Sequence, residues 1–363
     1  MSASACDDCL RRAGLIEQLG GNLDFHARHL LEILDLNDDE LLALPTGALR
    51  ARLRDSHRRF TTAEAERRRR QAAEAGLQII CRCDPGYPSR LLGVPAAPAV
   101  LHVFGELDRF LELCAQEPVA LVGCRRATEY GRDVSALLGR GISASGLTVI
   151  SGMAPGIDSS AHDGALAAGG RTIAVLPGTA SVSYPRSNRR LHERIVKSGA
   201  VISECGPGTS VRRWMLPARN RIIAALAEMT VVVQAGERSG VETTVAAATT
   251  YGRLLGAVPG SVLLPQSHRP NRMLAGGAVL ISRAQDVLDA VYGAGARLAT
   301  DLSRPSLKPG QQAVVEAIAS GADTIAALSR TGIAEEQLLT VLAGLELSGS
   351  LRRETGGRYV LIS

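Results

Sequence analysis

From Pro118 onward the chain repeats one unit: a short, almost unbroken apolar run, a Gly-rich turn, then ten or more residues with helical spacing. The runs are VALVG (119–123), LTVIS (147–151), TIAVL (172–176), AVISE (200–204), TVVVQ (230–234) and the weaker LLGAVP (254–259). Between them lie helix-like stretches at 129–145, 157–168, 188–198, 217–227 and 242–252. A strand that is apolar at every position must be covered on both faces, and spacers of this length allow right-handed crossovers. The pattern predicts an α/β fold: a doubly wound parallel, Rossmann-like sheet.

The flanks read differently. Residues 10–76 show short helical runs (LIEQL, HARHLLEIL, DDELLAL and Thr61 to Ala75) punctuated by Asn37, Pro45 and Gly47. They predict a small N-terminal helical domain over 1–80, of the SAM or helix-hairpin-helix kind. Next come a β-like run, LQIICRC, and the turn-rich DPGYP, followed by VPAAPAVLHVFGEL, which alternates. These are taken with the sheet in an extended Rossmann-like domain over 81–293. A Pro/Gly/Ala/Ser segment, 294–307, reads as a linker, and 308–363 as three helices and a hairpin turning at Thr355-Gly356-Gly357.

Doubly wound sheets bind ligands at the carboxyl ends of their strands. Here those ends carry Gly and Arg together: Gly123-Cys124-Arg125-Arg126, Ser151-Gly152-Met153-Ala154-Pro155-Gly156, Pro177-Gly178-Thr179, Cys205-Gly206-Pro207-Gly208 and Gly236-Glu237-Arg238-Ser239-Gly240. Tyr184-Pro185-Arg186-Ser187-Asn188 precedes another helix. Glycines let backbone N–H groups approach a phosphate, and each helix start adds unpaired donors and a positive dipole end. Glycine is also simply what a tight turn needs, so the arginines carry the functional reading.

Charge supports that reading by its location. Residues 117–293 hold 19 basic and 12 acidic residues, and 45–76 hold 9 basic and 4 acidic, including Arg50, Arg52, Arg54, Arg58, Arg59 and Arg67 to Arg70. By contrast 1–44 hold 3 basic and 9 acidic. Almost every basic residue is Arg, whose planar fork suits phosphate. With pI near 9.0 the balance points to a polyanion. Aromatic residues are only 3% of the chain, so a surface of base-stacking rings is not expected.

Several enzyme classes are disfavoured. The first strand-to-helix turn reads G-C-R-R-A rather than G-x-G-x-x-G, no G-x-x-x-x-G-K-[ST] is present, and neither G-x-S-x-G nor H-E-x-x-H occurs. His162, His192 and His268 read as packing or solvent-facing residues. A nucleotide hydrolase of the phosphoribohydrolase type on a related sheet stands as the alternative function, with Glu204 and Glu242 as its acid/base candidates. Against it, PGTASVSYP lacks the carboxylate and second glycine pair of P-G-G-x-G-T-x-x-E.

VALVGCRRATEYGR, SGMAPGIDSSAHDGALAAGGRTIAVL, YPRSN, SECGPGT, LPARNRIIAAL and ERSG stand in the order and spacing of the DNA-processing protein A (DprA/Smf) family, which the chain resembles over about 10–363. The resemblance implies a non-catalytic protein that binds and protects single-stranded DNA. It also implies loading of a RecA-type recombinase onto that strand during natural transformation or recombination, action as a homodimer, and a winged-helix domain at 308–363. By position, Gly123, Arg125 and Arg126 match the family's G-S-R-[KR] turn, and Ser151, Gly152, Gly156, Arg186, Asn188, Arg219, Asn220, Arg221, Ser239 and Gly240 match its other pocket motifs. Phosphates would be held by Arg125, Arg186, Arg219 and Arg221 with loop N–H groups. Departures are Cys124 for Ser, Pro155 for Arg, Leu216 for an aromatic, and Val241-Glu242 for an apolar pair. The tail's third helix, EEQLLTVLAGLEL, is acidic then apolar, which suits protein contact or packing better than duplex reading, while Arg352, Arg353 and Arg358 on the wing could touch phosphate.

No catalytic residue and no required cofactor is expected. Seven cysteines, an odd number, favour reduced thiols or a metal over disulfides. Cys6-x-x-Cys9 and Cys81-x-Cys83 could close a structural zinc site; the competing reading is four reduced thiols, because C-x-C is unusual ligand spacing on a strand. Cys124 beside Arg125 is expected to have a lowered pKa. MSASACDDCLRR has no apolar signal core and no apolar run reaches membrane length, so a cytoplasmic protein without membrane contact is expected.

Overall fold

A computed structural model of the 363-residue chain describes all residues except 1–4, 26–28, 238, 301–308, 332–334, 348–349, 355 and 362–363. Two compact units divide it, Met1–Thr300 and Asp301–Ser363.

In the first unit a nine-stranded sheet is built from β1 (Leu77–Cys81), β2 (Val100–Phe104), β3 (Val119–Val122), β4 (Val149–Ser151), β5 (Thr172–Val175), β6 (Ala200–Ser203), β7 (Met229–Val232), β8 (Leu254–Ala257) and β9 (Val279–Leu280), in the order β1-β2-β6-β5-β4-β3-β7-β8-β9. The seven strands from β3 onward are mutually parallel, whereas β2 runs antiparallel to β6 and to β1. The apolar runs are buried at every position from β3 to β7, as strands covered on both faces must be. Val119, Leu121, Val149 and Val231 pack on one side with Leu138, Ile142 and Ile157. Ala120, Val122, Ile150 and Val232 pack on the other with Phe110, Ile222, Ile223 and Val245.

Glycine sets how closely two helices approach. A Cβ on Gly139 would lie 2.3 Å from the carbonyl oxygen of Ala161, and one on Gly164 only 2.0 Å from that of Ala136. The helices Glu129–Ala144 and Ile157–Ala167 therefore lie almost backbone to backbone, which draws the loops before them together. The first opens on Thr128, whose hydroxyl accepts from the Gly131 N–H at 3.2 Å.

The helices Asp7–Phe25, Leu30–Asp35, Asp38–Ala43, Gly47–Arg58 and Thr62–Glu74 precede β1. They do not stand apart from the sheet, as a separate domain over 1–80 would. Leu15, Ile16, Leu19, Leu23, Leu30 and Leu53 share one apolar cluster with Trp214 and Met215 of the sheet region. Glu17 accepts from the Gly206 N–H at 3.0 Å, and Asp24 from that of Trp214 at 2.8 Å.

One further correction concerns the linker. Residues 294–300, read as linker, pack against the sheet: Arg297 donates to the Ser145 carbonyl at 2.5 Å and stacks on Tyr292, and Ala299 N–H bonds Gln285 at 2.7 Å. The rest of that segment, 301–307, lies outside the described residues. The helices Leu107–Cys114, His268–Ala275 and Ala284–Tyr292, and strand β9, extend the fold beyond the repeats read from sequence.

The second unit contains helices Pro309–Ala319, Ile325–Leu328 and Glu335–Leu347 and an antiparallel pair, β10 (Leu351–Arg353) and β11 (Tyr359–Leu361). Val314, Ile318, Leu328, Leu338, Leu342, Leu345, Leu351 and Tyr359 make its core. Thr355, in the expected hairpin turn, lies outside the described residues.

Candidate functional site

From β3 the chain steps to β4, β5 and β6 on one side, then crosses back to β7, β8 and β9 on the other. Helices leave β3 and β7 in opposite directions there, opening a crevice at their carboxyl ends. A cavity of about 610 Å³ occupies it, bounded by Gly123, Cys124, Arg125 and Arg126 after β3, Ala154 and Asp158 after β4, Leu216, Arg219 and Asn220 from the helix Met215–Leu226, and Ser239, Gly240 and Thr244 after β7.

Arg125 and Arg126 stand exposed at this crevice, and neither has a hydrogen-bond or ion-pair partner among the described residues. Their loop is locked from below. A Cβ on Gly123 would lie 2.4 Å from the Ile157 side chain, and one on Gly156, where φ is 88°, would lie 2.5 Å from the Cys124 carbonyl oxygen. Both glycines are required by close approach, and Gly156 by its left-handed backbone as well. The hydroxyl of Ser151 donates to the Leu121 carbonyl at 2.6 Å, tying β4 to β3.

Arg219 is buried in the crevice wall. Its Nη1 donates to the carbonyls of Gly152 at 2.5 Å and Val175 at 2.6 Å, and its Nε to Asn220 Oδ1 at 3.0 Å. Nη2 has no acceptor among the described residues. Gly152 makes room for this guanidinium, since a Cβ there would lie 2.0 Å from Nη1. Burial pulls the Arg219 pKa below its ordinary value, against the attraction of Asp158. Asn220 in turn donates to Thr243 Oγ1 at 2.7 Å and the Gly240 carbonyl at 3.2 Å, binding this helix to the start of Val241–Thr250.

Asp158 was given no role by sequence reasoning, although it stands in the G-I-D motif. Burial raises its pKa, while Arg219 and the backbone N–H groups of Ala154, Gly152 and Gly123 oppose the rise. The carboxylate thus gathers the β3 and β4 loops around one acceptor. A helix opening on an acidic residue whose neighbours are glycines was the available signal.

Other expected site residues lie elsewhere. Arg221, two residues past Arg219, faces away from the crevice and is 2% exposed. It donates from Nε to the Ala96 carbonyl at 2.9 Å, from Nη1 to that of Ala218 at 2.8 Å, and from Nη2 to Glu204 at 2.7 Å. Three of its five N–H groups are taken up inside the protein and the guanidinium is shut off from solvent, so its expected phosphate contact is corrected to a structural ion pair. Asn188 donates to the Met153 carbonyl at 2.8 Å and to Ser159 at 2.9 Å, buttressing a loop in which Met153 holds φ at 60°. Arg186, on the adjoining 3-10 turn Arg186–Asn188, is exposed and has no partner among the described residues. Arg238 lies outside the described residues.

Burial raises the Cys124 pKa, and Asp158 adds to the rise, which reverses the expected lowering by Arg125. Glu204 is held by Arg221, and Glu242 pairs with Arg269; neither borders the cavity, so the alternative's two carboxylates do not meet there. Among the described residues no helix is long and apolar enough to cross a membrane.

Fold and crevice together define a Rossmann-like protein with an open, arginine-edged crevice at its switch point. Residues 78–292 match the family of DNA recombination-mediator protein A, and the chain belongs to that family. DprA of Bacillus subtilis is 36% identical over 216 residues, 60% of this chain and 72% of that one. A DprA relative from Mycobacterium tuberculosis is 38% identical over 260 residues, 70% of this chain; the chain spans 66% of that relative's length. Among solved structures, DprA of Streptococcus pneumoniae superposes with a TM-score of 0.64 at 30% identity, covering 79% of this chain and 99% of that one. A Helicobacter pylori structure described for the single-stranded DNA binding mode of DNA processing protein A gives 0.52 at 26% identity, covering 60% and 96%.

Proposed function

We propose that the chain binds single-stranded DNA by its phosphate backbone at the switch-point crevice. The observation that carries this reading is the unpaired state of Arg125 and Arg126 at the crevice. Two exposed forks without an internal carboxylate are free to meet phosphate oxygens. Arg219 Nη2 and the N-terminus of Val241–Thr250 at Ser239 and Gly240 add donors. Arg186 continues the path along the rim. Ser151, Gly152, Gly156, Asn188 and Asn220 hold the loops in shape, and Arg221 takes no part in the contact. The DNA binding described for the H. pylori relative supports the same ligand.

In this reading the protein is a cytoplasmic binder rather than an enzyme. It acts as a homodimer that protects the strand and delivers it to a RecA-type recombinase in transformation or recombination. The second unit, read as a winged helix, serves protein contact; its three helices and antiparallel strand pair support that reading.

Binding of a dT oligomer and of duplex DNA, measured at several salt concentrations, tests the reading. Single strand should be preferred, and the Arg125→Ala/Arg126→Ala variant should lower both affinity and the salt slope, by about 0.7 for each phosphate that the variant no longer neutralises. Equal binding by variant and wild type at every salt concentration sinks it.

A further inference from the structure

Four cysteines meet at the edge of the sheet remote in sequence from the crevice. Cys6 and Cys9 lie at the start of the helix Asp7–Phe25, Cys81 ends β1, and Cys83 sits in the turn that follows. Their Sγ atoms all lie within 4.8 Å of one another. A zinc ion with four thiolates at about 2.3 Å has sulfur-to-sulfur edges of about 3.8 Å. The Cys9 and Cys83 sulfurs are 3.7 Å apart, the edge of such a tetrahedron and far from the roughly 2.05 Å of a disulfide.

The objection from C-x-C spacing disappears in the fold. It assumed that both residues lie on a strand, where alternate side chains are held apart. β1 ends at Cys81, and residues 82–83 turn, bringing the Cys83 sulfur back toward Cys9. The Cys6 N–H donates to Cys81 Sγ at 3.4 Å, a contact of the kind that supports a ligating thiolate.

Packing alone does not explain the cluster. Cys9 and Cys81 are buried, but Cys6 is half-buried and Cys83 exposed. An exposed thiol gains little by facing three others, whereas a metal needs all four. The scaffold around the cluster is braced by side chains: Arg69 donates to the Ala5 carbonyl at 2.7 Å and to Asp7 at 2.6 Å, seating the chain beside Cys6 on the helix Thr62–Glu74.

We propose that Cys6, Cys9, Cys81 and Cys83 bind one zinc ion as thiolates, in a closed structural site that fastens the first helix to β1. Each thiol releases its proton as the metal enters. Four protein ligands leave no open position for substrate, so the site has no part in chemistry.

The test uses the full chain, purified under reducing conditions without chelator or polyhistidine tag. Metal analysis should find about one zinc per chain, falling below about a tenth in Cys9→Ser. Should Cys9→Ser fail to fold, Cys83→Ser at its exposed position gives the same readout. Cobalt added to metal-free protein should produce the strong visible bands of a tetrahedral thiolate site, absent in the variant. Less than about a tenth of an equivalent after dialysis against zinc chloride, with all four thiols open to a thiol reagent, overturns the proposal. Arg125→Ala/Arg126→Ala should keep its zinc, so this result and the DNA measurement fail independently.

Discussion

Arg67, Arg68 and Arg69 on the helix Thr62–Glu74 each reach a carboxylate, Glu64 for the first, Glu17 at 3.1 Å for the second, Asp7 at 2.6 Å for the third, whereas Arg125 and Arg126 at the crevice reach none. The two regions look alike as strings of arginine. Their surroundings differ: Glu64 and Glu66 sit one turn away on the same helix, and Glu17 and Asp7 come from the acidic helix packed beside it. Of the nine basic residues of 45–76, Arg68 and Arg69 pair with acids of 1–44, and Arg59 and Arg67 with acids one turn earlier in the chain. Arg52, Arg54 and Arg70 stay exposed with no carboxylate partner among the described residues. At the crevice the loop of Arg125 and Arg126 is set among glycines, and the carboxylate that borders the cavity, Asp158, is buried toward Arg219. What sets Arg125 and Arg126 apart is that two unpaired forks stand side by side at a cavity, which none of the arginines of 45–76 borders.

Arg221 tests the comparison most severely, because it joins the crevice helix to neither kind of surface. Removing it in Arg221→Ala leaves Glu204 buried without its partner, and the loss in a denaturant titration should be about 3–5 kcal/mol. A variant as stable as wild type would show that the inward ion pair is dispensable and would return Arg221 to the contact set.

Acid should separate the two regions next. His162, on the crevice-side helix Ile157–Ala167, is held to a pKa of about 3 by burial, with Arg219 adding to the effect, against an ordinary 6.5. Its folded pKa is depressed, so the unfolded chain binds the proton first. Stability falls as pH drops from 6.5 toward 3, by up to about 1.4 kcal/mol for each pH unit. Asp38 in the helical segment behaves differently: burial opposes ionisation, but His57 and Arg12 outweigh it and lower the pKa. Its contribution is present above the ordinary carboxylate range and is lost only below it. His162→Gln should flatten the unfolding profile between pH 6.5 and 4, and Asp38→Asn only at lower pH; the opposite assignment would break the account.

The smallest effect is expected from Arg68→Ala. Its half-buried pair with Glu17 should be worth no more than about 1 kcal/mol, and the salt slope of DNA binding should not move. A lowered slope would mean that the helical arginines also touch the strand, and the contrast with Arg125 and Arg126 would fail.

Much of the architecture was legible because it is written locally. Apolar strands between β3 and β8 follow from short unbroken runs, and their Gly-rich ends mark the rim of the crevice without any contact being known. Leu107–Cys114 escaped notice because one amphipathic helix of eight residues follows a turn signal and carries no repeat. Residues 294–300 looked like linker because small residues are uninformative until Arg297 and Gln285 are seen to hold them. Arg219 and Arg221 share one motif, P-A-R-N-R, yet two residues on a helix point about 200° apart, so one faces the crevice and the other the core.

Local periodicity in the sequence by itself determined a parallel sheet with glycine and arginine at its strand ends, because strand burial and turn geometry depend on neighbours along the chain. Tertiary structure alone decided the strand order that opens the crevice and the arginines left unpaired beside it. It alone also brought Cys6 and Cys9 to Cys81 and Cys83. The reason is the same in each case: a guanidinium or a thiol is free, paired or gathered according to groups distant in sequence, and only packing brings those groups within a few ångströms.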